Sequence, residues 1–430
     1  MTNISRRTFN GILGAAGAAS LVGLGACTAG PRVVVVGGGF GGATAAKYLK
    51  RYDPSLDVTL IDAQASHFTC PFSNTVVAGM NDMKYIERGF DGLAKHGVKV
   101  FTDTVVAIDP VSKVVKTKGE KTFQYDKLVV SPGIDFKWNA IVGYDEAASE
   151  LMPHAWKAGP QTALLRKQIE AMPNGGVVAI SAPANPYRCP PGPYERAGLI
   201  AYYLKKNKPK SKVIIFDSKD AFAKDKLFKE GWDKAYDDMI EWVPAAKNGK
   251  IIKVDAKAGV LETDFDKHKV AVANVIPPQM AGQIAQVSGL ADPKTGWCPI
   301  NPATFESTLA KDVYVIGDAC SMPVNDPAMA MPKSGYSASS QGKIAAAAIV
   351  ASIKGVKPVP FSAINTCYSL IAPDYGISVA GVYTLGDDGK VMTVKGAGGV
   401  SPMGANYQFR KKEADFAVGW YQSISQDTWG

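Results

Sequence analysis

Val33-Val34-Val35-Val36-Gly37-Gly38-Gly39-Phe40-Gly41-Gly42, running on through Ala43 to Leu49, decides the fold of this 430-residue chain. Four β-branched residues in a row fit a strand buried on both faces of a parallel sheet. The glycines at 37, 39 and 42 form GxGxxG, and an alanine-rich helix follows. Val58-Thr59-Leu60-Ile61-Asp62 then reads as a second strand ending in an acid. GxGxxG alone is a weak signal. Strand, glycine loop, helix, strand and terminal acid within one unit is a strong one, the dinucleotide-binding fingerprint. Gly37 makes the tight turn, Gly39 lets backbone approach a pyrophosphate, and Gly42 lets helix and strand pack. The helix N-terminus offers unpaired N–H groups to phosphate. Asp62 is expected to accept from ribose hydroxyls.

The rest of the chain selects the nucleotide. Val313-Tyr314-Val315-Ile316-Gly317-Asp318 is a strand ending in Gly-Asp. It resembles the second flavin motif of flavoproteins with two dinucleotide domains, where the acid holds the ribityl chain. Leu128-Val129-Val130-Ser131-Pro132-Gly133 resembles their middle strand, with proline where threonine is usual. The cofactor is therefore expected to be FAD, with Gly133 and Asp318 among its ligands. The expected fold is α/β: two Rossmann-like domains plus a C-terminal interface domain. The FAD domain is discontinuous, 31–142 and 286–357. The insert, 143–285, is a second dinucleotide-type domain, and 358–430 is the interface domain. After the insert's first strand, Val177 to Ile180, the chain reads Ser181-Ala182-Pro183-Ala184-Asn185-Pro186. No glycine stands there to cradle a pyrophosphate, and proline has no N–H. A helix (Tyr194 to Leu204) and a strand (Lys212 to Asp217) still follow. The insert is expected to keep its fold without a functional NAD site.

The first 29 residues read differently. Ser5-Arg6-Arg7-Thr8-Phe9 precedes a small and apolar run from Gly11 to Ala26. The run is glycine-rich and short for a membrane span. Twin arginine before Thr-Phe is the pattern of a Tat export signal, which carries folded proteins. The mature chain is expected in the periplasm, without a transmembrane segment. Two endings remain open, cleavage before Gly30 or a lipid on Cys27. Losing Arg6 and Arg7 takes the formal charge from +9 to +7. The positive charge falls in short clusters such as Lys205-Lys206 and Arg410-Lys411-Lys412, without interleaved aromatics, so no nucleic-acid partner is expected. A 46% hydrophobic and 20% charged composition excludes a disordered chain. Four histidines, and six cysteines without a CxxC or CxxCH, argue against a metal site or an attached haem.

The cysteines carry the chemistry. Residues 43–60 contain none, which excludes a CxxxxC disulfide reductase. Cys70 lies eight residues after Asp62, in a loop that can pass a flavin ring; a buried packing thiol is the alternative. Cys189, in Cys189-Pro190-Pro191-Gly192-Pro193-Tyr194-Glu195, and Cys367, in Asn365-Thr366-Cys367-Tyr368-Ser369, sit in turn-like contexts. Sequence leaves their pairing open, and a plain staple is as admissible as a redox couple. Glu195 is close enough along the chain to serve Cys189 as acid or base. Cys298 and Cys320 read as packing residues.

The runs VVVVGGGFGGATAAKYLK (33–50), HFTCPFSN (67–74), YRCPPGPYERA (187–197), VIGDAC (315–320), MPKSGYSASSQGK (331–343) and NTCYS (365–369) resemble one family. It is the flavoprotein subunit of flavocytochrome c sulfide dehydrogenase. The resemblance implies an 8α-S-cysteinyl FAD on Cys70 and a redox-active Cys189–Cys367 disulfide, with Glu195 beside it. It implies sulfide as substrate and a small c-type cytochrome subunit as partner. Membrane-associated sulfide:quinone oxidoreductases share the fold and the disulfide and form the competing reading. A non-enzymatic periplasmic flavin-binding protein is a third. Lys333, Ser334 and Gly335 would open a helix aimed at the flavin. In the tail, Phe409, Phe416, Trp420, Tyr421 and Ile424 share a helical face that is expected to pack on the flavin domain, with Trp420 lining the flavin pocket.

Overall fold

The computed structural model describes residues 30–324 and 330–430. Arg6, Arg7 and Cys27, and with them the export reading, lie outside the described residues. The first unit contains β1 (Arg32–Val36), α1 (Phe40–Tyr52), β2 (Asp57–Asp62), the short helix α2 (Ser73–Val77), β3 (Lys99–Thr102) and β4 (Lys127–Val130). The second contains β5 (Val177–Ala182), α3 (Gly192–Asn207), β6 (Lys212–Asp217), α4 (Asp225–Tyr236), β7 (Ile240–Val243) and β8 (Val272–Val275). The chain then returns to the first unit as β9 (Val313–Val315) and α5 (Gly335–Ile353). It ends in β10 (Ser362–Ala372), β11 (Tyr375–Leu385), β12 (Val391–Thr393) and α6 (Tyr407–Trp429).

The valines of β1 are buried because the strand sits mid-sheet. The order is β9-β4-β1-β2-β3, and every pairing is parallel. Strand order reverses at β1, and in such sheets the crevice at that point binds the ligand. Gly37 N–H bonds the Ile61 carbonyl at 2.8 Å and Ser131 N–H bonds that of Val36 at 2.8 Å, so the three strand ends finish level. A Cβ on Gly42 would lie 1.9 Å from the Gly37 carbonyl oxygen, so only glycine lets α1 pack so close. One on Gly342 of α5 would lie 2.6 Å from the Gly41 oxygen, and the two helices touch through that gap.

The second sheet, β7-β6-β5-β8, is also parallel. The crossing strands Ile134–Phe136 and Gln279–Ala281 pair antiparallel. The third sheet is antiparallel, with Cys367 of β10 opposite Val379 of β11.

Helix α6 corrects part of the expected face: Tyr421 and Ile424 turn inward, Phe409 and Phe416 do not. Its buried residues are Arg410, Glu413, Ala414, Ala417, Tyr421, Ile424, Ser425, Thr428 and Trp429. Phe409 and Phe416 are 41% and 58% exposed. The inward stripe begins with an Arg410–Glu413 ion pair at 3.1 Å and continues with alanines. A pattern built on large apolar residues alone misses such a stripe.

Candidate functional site

A cavity of about 920 Å³ opens at the C-terminal ends of the first sheet. Its long arm is built by the glycine loop. Gly37 and Gly39 line it, as do Asp62, Gly133, Asp318, Ser334 and Gly335. Helix α1 has no side-chain cap, which leaves its first-turn N–H groups facing this arm. Asp62 accepts from Gly38 N–H at 2.6 Å and Gln64 N–H at 2.8 Å. Each carboxylate oxygen keeps a lone pair for a ribose hydroxyl. Asp318 is half-buried, and the loss of water around its carboxyl pushes it up. Its Oδ1 has no partner, while Oδ2 lies 4.0 Å from Arg188 Nε. A buried carboxylate oxygen without a donor, set in a cavity wall, fits a polyol chain. The residues present therefore fit FAD, with pyrophosphate on the α1 end and ribityl hydroxyls at Asp318.

Two residues counted with the cofactor site do not line the cavity. Gly42 faces Gly37 and acts through packing, the role its place in the loop predicts. Lys333 turns its ammonium away from the cavity. Its Nζ donates to the carbonyls of Asp318 (2.7 Å) and Cys320 (2.8 Å) and lies 3.9 Å from the Trp297 ring centre. It steadies the Asp318 turn from behind. Ser334 caps α5 by accepting from Ser337 N–H at 3.1 Å, and it donates to Asn365 on β10 at 2.7 Å.

The other end of the cavity brings Cys70, Cys189, Cys367 and Glu195 together, under Trp420. Cys70 sits on a locked turn: its carbonyl accepts from Ser73 N–H (3.0 Å) and Ser73 Oγ (2.7 Å). Thr69 shares a 2.7 Å hydrogen bond with Tyr421 of α6. Cys189 adopts a left-handed backbone, φ 56°, a conformation that costs energy outside glycine and concentrates at functional positions. Its N–H bonds the Lys333 carbonyl at 2.8 Å. All five described cysteines are free thiols. The expected Cys189–Cys367 bond is not formed; the Cys189 thiol instead donates to Cys70. That hydrogen bond, with the charges of Arg188 and Arg196, lowers Cys70 to about 7. Burial raises Cys367. Cys298 and Cys320 are register neighbours on adjacent parallel strands. Burial lifts them to about 12 and 11, which leaves them inert.

Glu195, in the first turn of α3, accepts from Asn74 Nδ2 at 2.7 Å and Leu370 N–H at 2.8 Å. Burial nevertheless raises its carboxyl. Asn74 also accepts from Arg196 Nε at 2.9 Å. Arg196 is fully buried, and its guanidinium is held by the carbonyls of His154 and Ala155 and by Asn274. Burial brings it down to about 10. Arg188 donates to the Trp156 carbonyl. His67 stacks on Trp429, with ring centres 5.5 Å apart, and burial drops it to about 4, which keeps it neutral. Arg188, Arg196, Asn74, His67 and Lys224 were not singled out from sequence. Arg188 precedes Cys189 in a proline-rich turn and Arg196 follows Glu195 in α3, and charge so close to these two residues was the available signal.

A family model described as "Sulfide dehydrogenase [flavocytochrome c] flavoprotein chain, central" matches residues 162–277. Another, "Flavocytochrome c sulphide dehydrogenase, flavin-binding", matches 359–429. "Pyridine nucleotide-disulphide oxidoreductase" matches 31–158. A Chlorobaculum thiosulfatiphilum sulfide dehydrogenase [flavocytochrome c] flavoprotein chain is 64% identical over 45 residues, 94% of that relative and 10% of this chain. This chain belongs to the flavocytochrome c sulfide dehydrogenase flavoprotein family. Members of this family are sulfide-oxidising flavoproteins, and its flavin-binding regions indicate FAD. The family borders another. The mitochondrial sulfide:quinone oxidoreductase of Dictyostelium discoideum is 26% identical over 305 residues, 70% of this chain and 68% of that relative. The solved sulfide:quinone oxidoreductase of Aquifex aeolicus has the same fold, with a TM-score of 0.70, 18% identity and 92% of each chain covered.

Proposed function

We propose that this chain is the flavoprotein subunit of a periplasmic sulfide dehydrogenase. Sulfide attacks a Cys189–Cys367 disulfide, and the electrons leave singly through a c-type cytochrome subunit in a heterodimer. The observation that carries this reading is the meeting of Cys70, Cys189, Cys367 and Glu195 at one end of a dinucleotide cavity. Cys70 carries the cofactor as an 8α-S-cysteinyl link. Its lowered thiol suits that role, because the thiolate is the nucleophile. FAD, when bound, supplies a two-electron acceptor that can release electrons one at a time. Glu195 holds a proton at the carboxyl nearest the couple and exchanges it with the incoming sulfide or the outgoing thiol. Trp420 covers the pocket. Export through Arg6-Arg7 precedes assembly, with a lipid on Cys27 as the alternative to cleavage before Gly30.

Anaerobic titration with sulfide should bleach the flavin of the purified holoprotein, and Cys367→Ser should abolish the bleaching. Bleaching retained in that variant would remove the disulfide mechanism. On a denaturing gel the flavin should stay with the polypeptide in acid, and Cys70→Ser should lose it.

A quinone-reducing role is the second reading. The outer face of α6 exposes Tyr407, Phe409 and Phe416, and sulfide:quinone oxidoreductases are among the relatives. No described helix is long and apolar enough to cross a membrane. Sulfide-dependent reduction of a quinone analogue, without reduction of a c-type cytochrome, would favour this reading.

A further inference from the structure

Lys224 is a half-buried cation with no part in the reaction above. It caps the start of α4 in a left-handed conformation, φ 63°. Its Nζ donates to Ser369 Oγ at 2.9 Å. Ser369 and Cys367 are two residues apart on β10, so strand alternation puts both side chains on one face. The next residue, Leu370, donates its N–H to Glu195. The acids facing Lys224 are thus Cys367 from β10, Glu195 from α3, Cys189 from the turn before α3, and Glu413 from α6. Glu413 is already bound by Arg410 and Ser378. The groups facing Cys367 are Lys224, Glu195 and Cys70.

Cys189 shares its cations: Lys224 and Arg196 both face it, but Cys367 and Glu195 stand ahead of it at Lys224, and both acids also face Cys189. It sits at the N-terminus of α3, normally a good place for a thiolate, but this terminus is poor in donors. Pro190, Pro191 and Pro193 have no N–H. Gly192 N–H bonds the Cys189 carbonyl at 2.8 Å, and Glu195 N–H bonds that of Pro191 at 3.1 Å. Arg196 spends its guanidinium on carbonyl and amide oxygens.

We propose that Lys224 is the positioning residue that makes Cys367 the thiolate side of the Cys189–Cys367 couple. This rests on the disulfide reading above. HS⁻ attacks Cys189 Sγ. A new S–S bond forms there as the Cys189–Cys367 bond breaks. The sulfide sulfur is oxidised and the Cys367 sulfur reduced. Cys189 is left as a persulfide bearing the proton that arrived on HS⁻, and the negative charge moves to Cys367 beside the ammonium. The sulfur that leaves as the more stable thiolate leaves faster.

The test is alkylation of phosphine-reduced holoprotein across pH 6–9, with peptide mass spectrometry of Cys189 and Cys367. Lys224→Met should move the Cys367 profile to higher pH, slowing its alkylation about tenfold near neutrality, the equivalent of about one pKa unit. The Cys189 profile should move clearly less, and Lys224→Arg should restore that of Cys367. Lys224→Gln keeps a donor for Ser369 without the charge and should behave like Lys224→Met. An unmoved Cys367 profile in either neutral variant, or an equal shift at both cysteines, would overturn the proposal. A non-reducing peptide map reports separately on the couple. Loss of the Cys189–Cys367 cross-link there would sink the disulfide reading, whatever the alkylation profiles show.

Discussion

Asn74 joins two charged side chains of the reaction end, giving its amide N–H to Glu195 and its oxygen to Arg196. Asn74→Leu strands both partners in a buried place, and each unsatisfied group costs about 1–3 kcal/mol. A lower urea midpoint is expected, together with slower sulfide bleaching. Glu195 makes a pH prediction. Burial raises its folded pKa above the unfolded value near ~4.3. The native state then holds a proton that the unfolded chain releases. Stability from this group is fully present below the unfolded value, falls as pH climbs to the folded one, and is flat above. Glu195→Gln removes that fall. Compared with wild type, its urea midpoint should improve as pH rises from about 4 through the folded pKa. A constant difference would mean that Glu195 titrates as it does in water.

Among the elements, α6 ties the tail to the phosphate loop. Trp429 donates to the Gly38 carbonyl at 3.0 Å, stacks on His67 and meets Phe40 edge-on at 4.7 Å. Lys47 of α1 donates to three carbonyls at the end of α6. Trp429→Ala should cost about 3–5 kcal/mol, as large core truncations do, and should weaken FAD retention with it. A thermal midpoint that falls while FAD binding stays intact would separate the tail from the loop. This element also marks how far the sequence could be read. The glycine loop and Asp62 were legible because local spacing dictates them, and Asp318 and the three cysteines were legible through the motifs they resemble. The face of α6 was not, since an ion pair and alanines replace its apolar signal. Lys333 was misplaced because a helix-opening position does not reveal which way a long side chain turns. Lys224 left no trace, because a lysine in Ala223-Lys224-Asp225-Lys226 looks solvated until β10 packs over it.

For the whole molecule, the site draws on every unit: Cys70 from the first, Cys189 and Glu195 from the second, Cys367 from the third. The source of electrons then turns on whether the second unit can hold a nicotinamide nucleotide. Asp217 ends β6 where a ribose-binding acid would stand, but it is fully buried. Its Oδ2 accepts from Tyr194 at 2.6 Å and Trp242 at 3.0 Å, and Oδ1 pairs with Lys219 at 2.6 Å. Tyr194 also stacks on Phe222, with ring centres 3.7 Å apart. The acid is spent on internal bonds, and the Tyr194–Phe222 stack packs beside it. After β5 the chain runs through Pro183 and Pro186, which offer no N–H to a pyrophosphate. Millimolar NADH should therefore leave the flavin of the anaerobic holoprotein oxidised, whereas near-stoichiometric sulfide should bleach it. Prompt bleaching by NADH would mean that the turn after β5 opens and that Asp217 gives up its internal bonds. Nothing in the bonding of Asp217 favours that, because an opening would strand a buried carboxylate and the lysine that neutralises it.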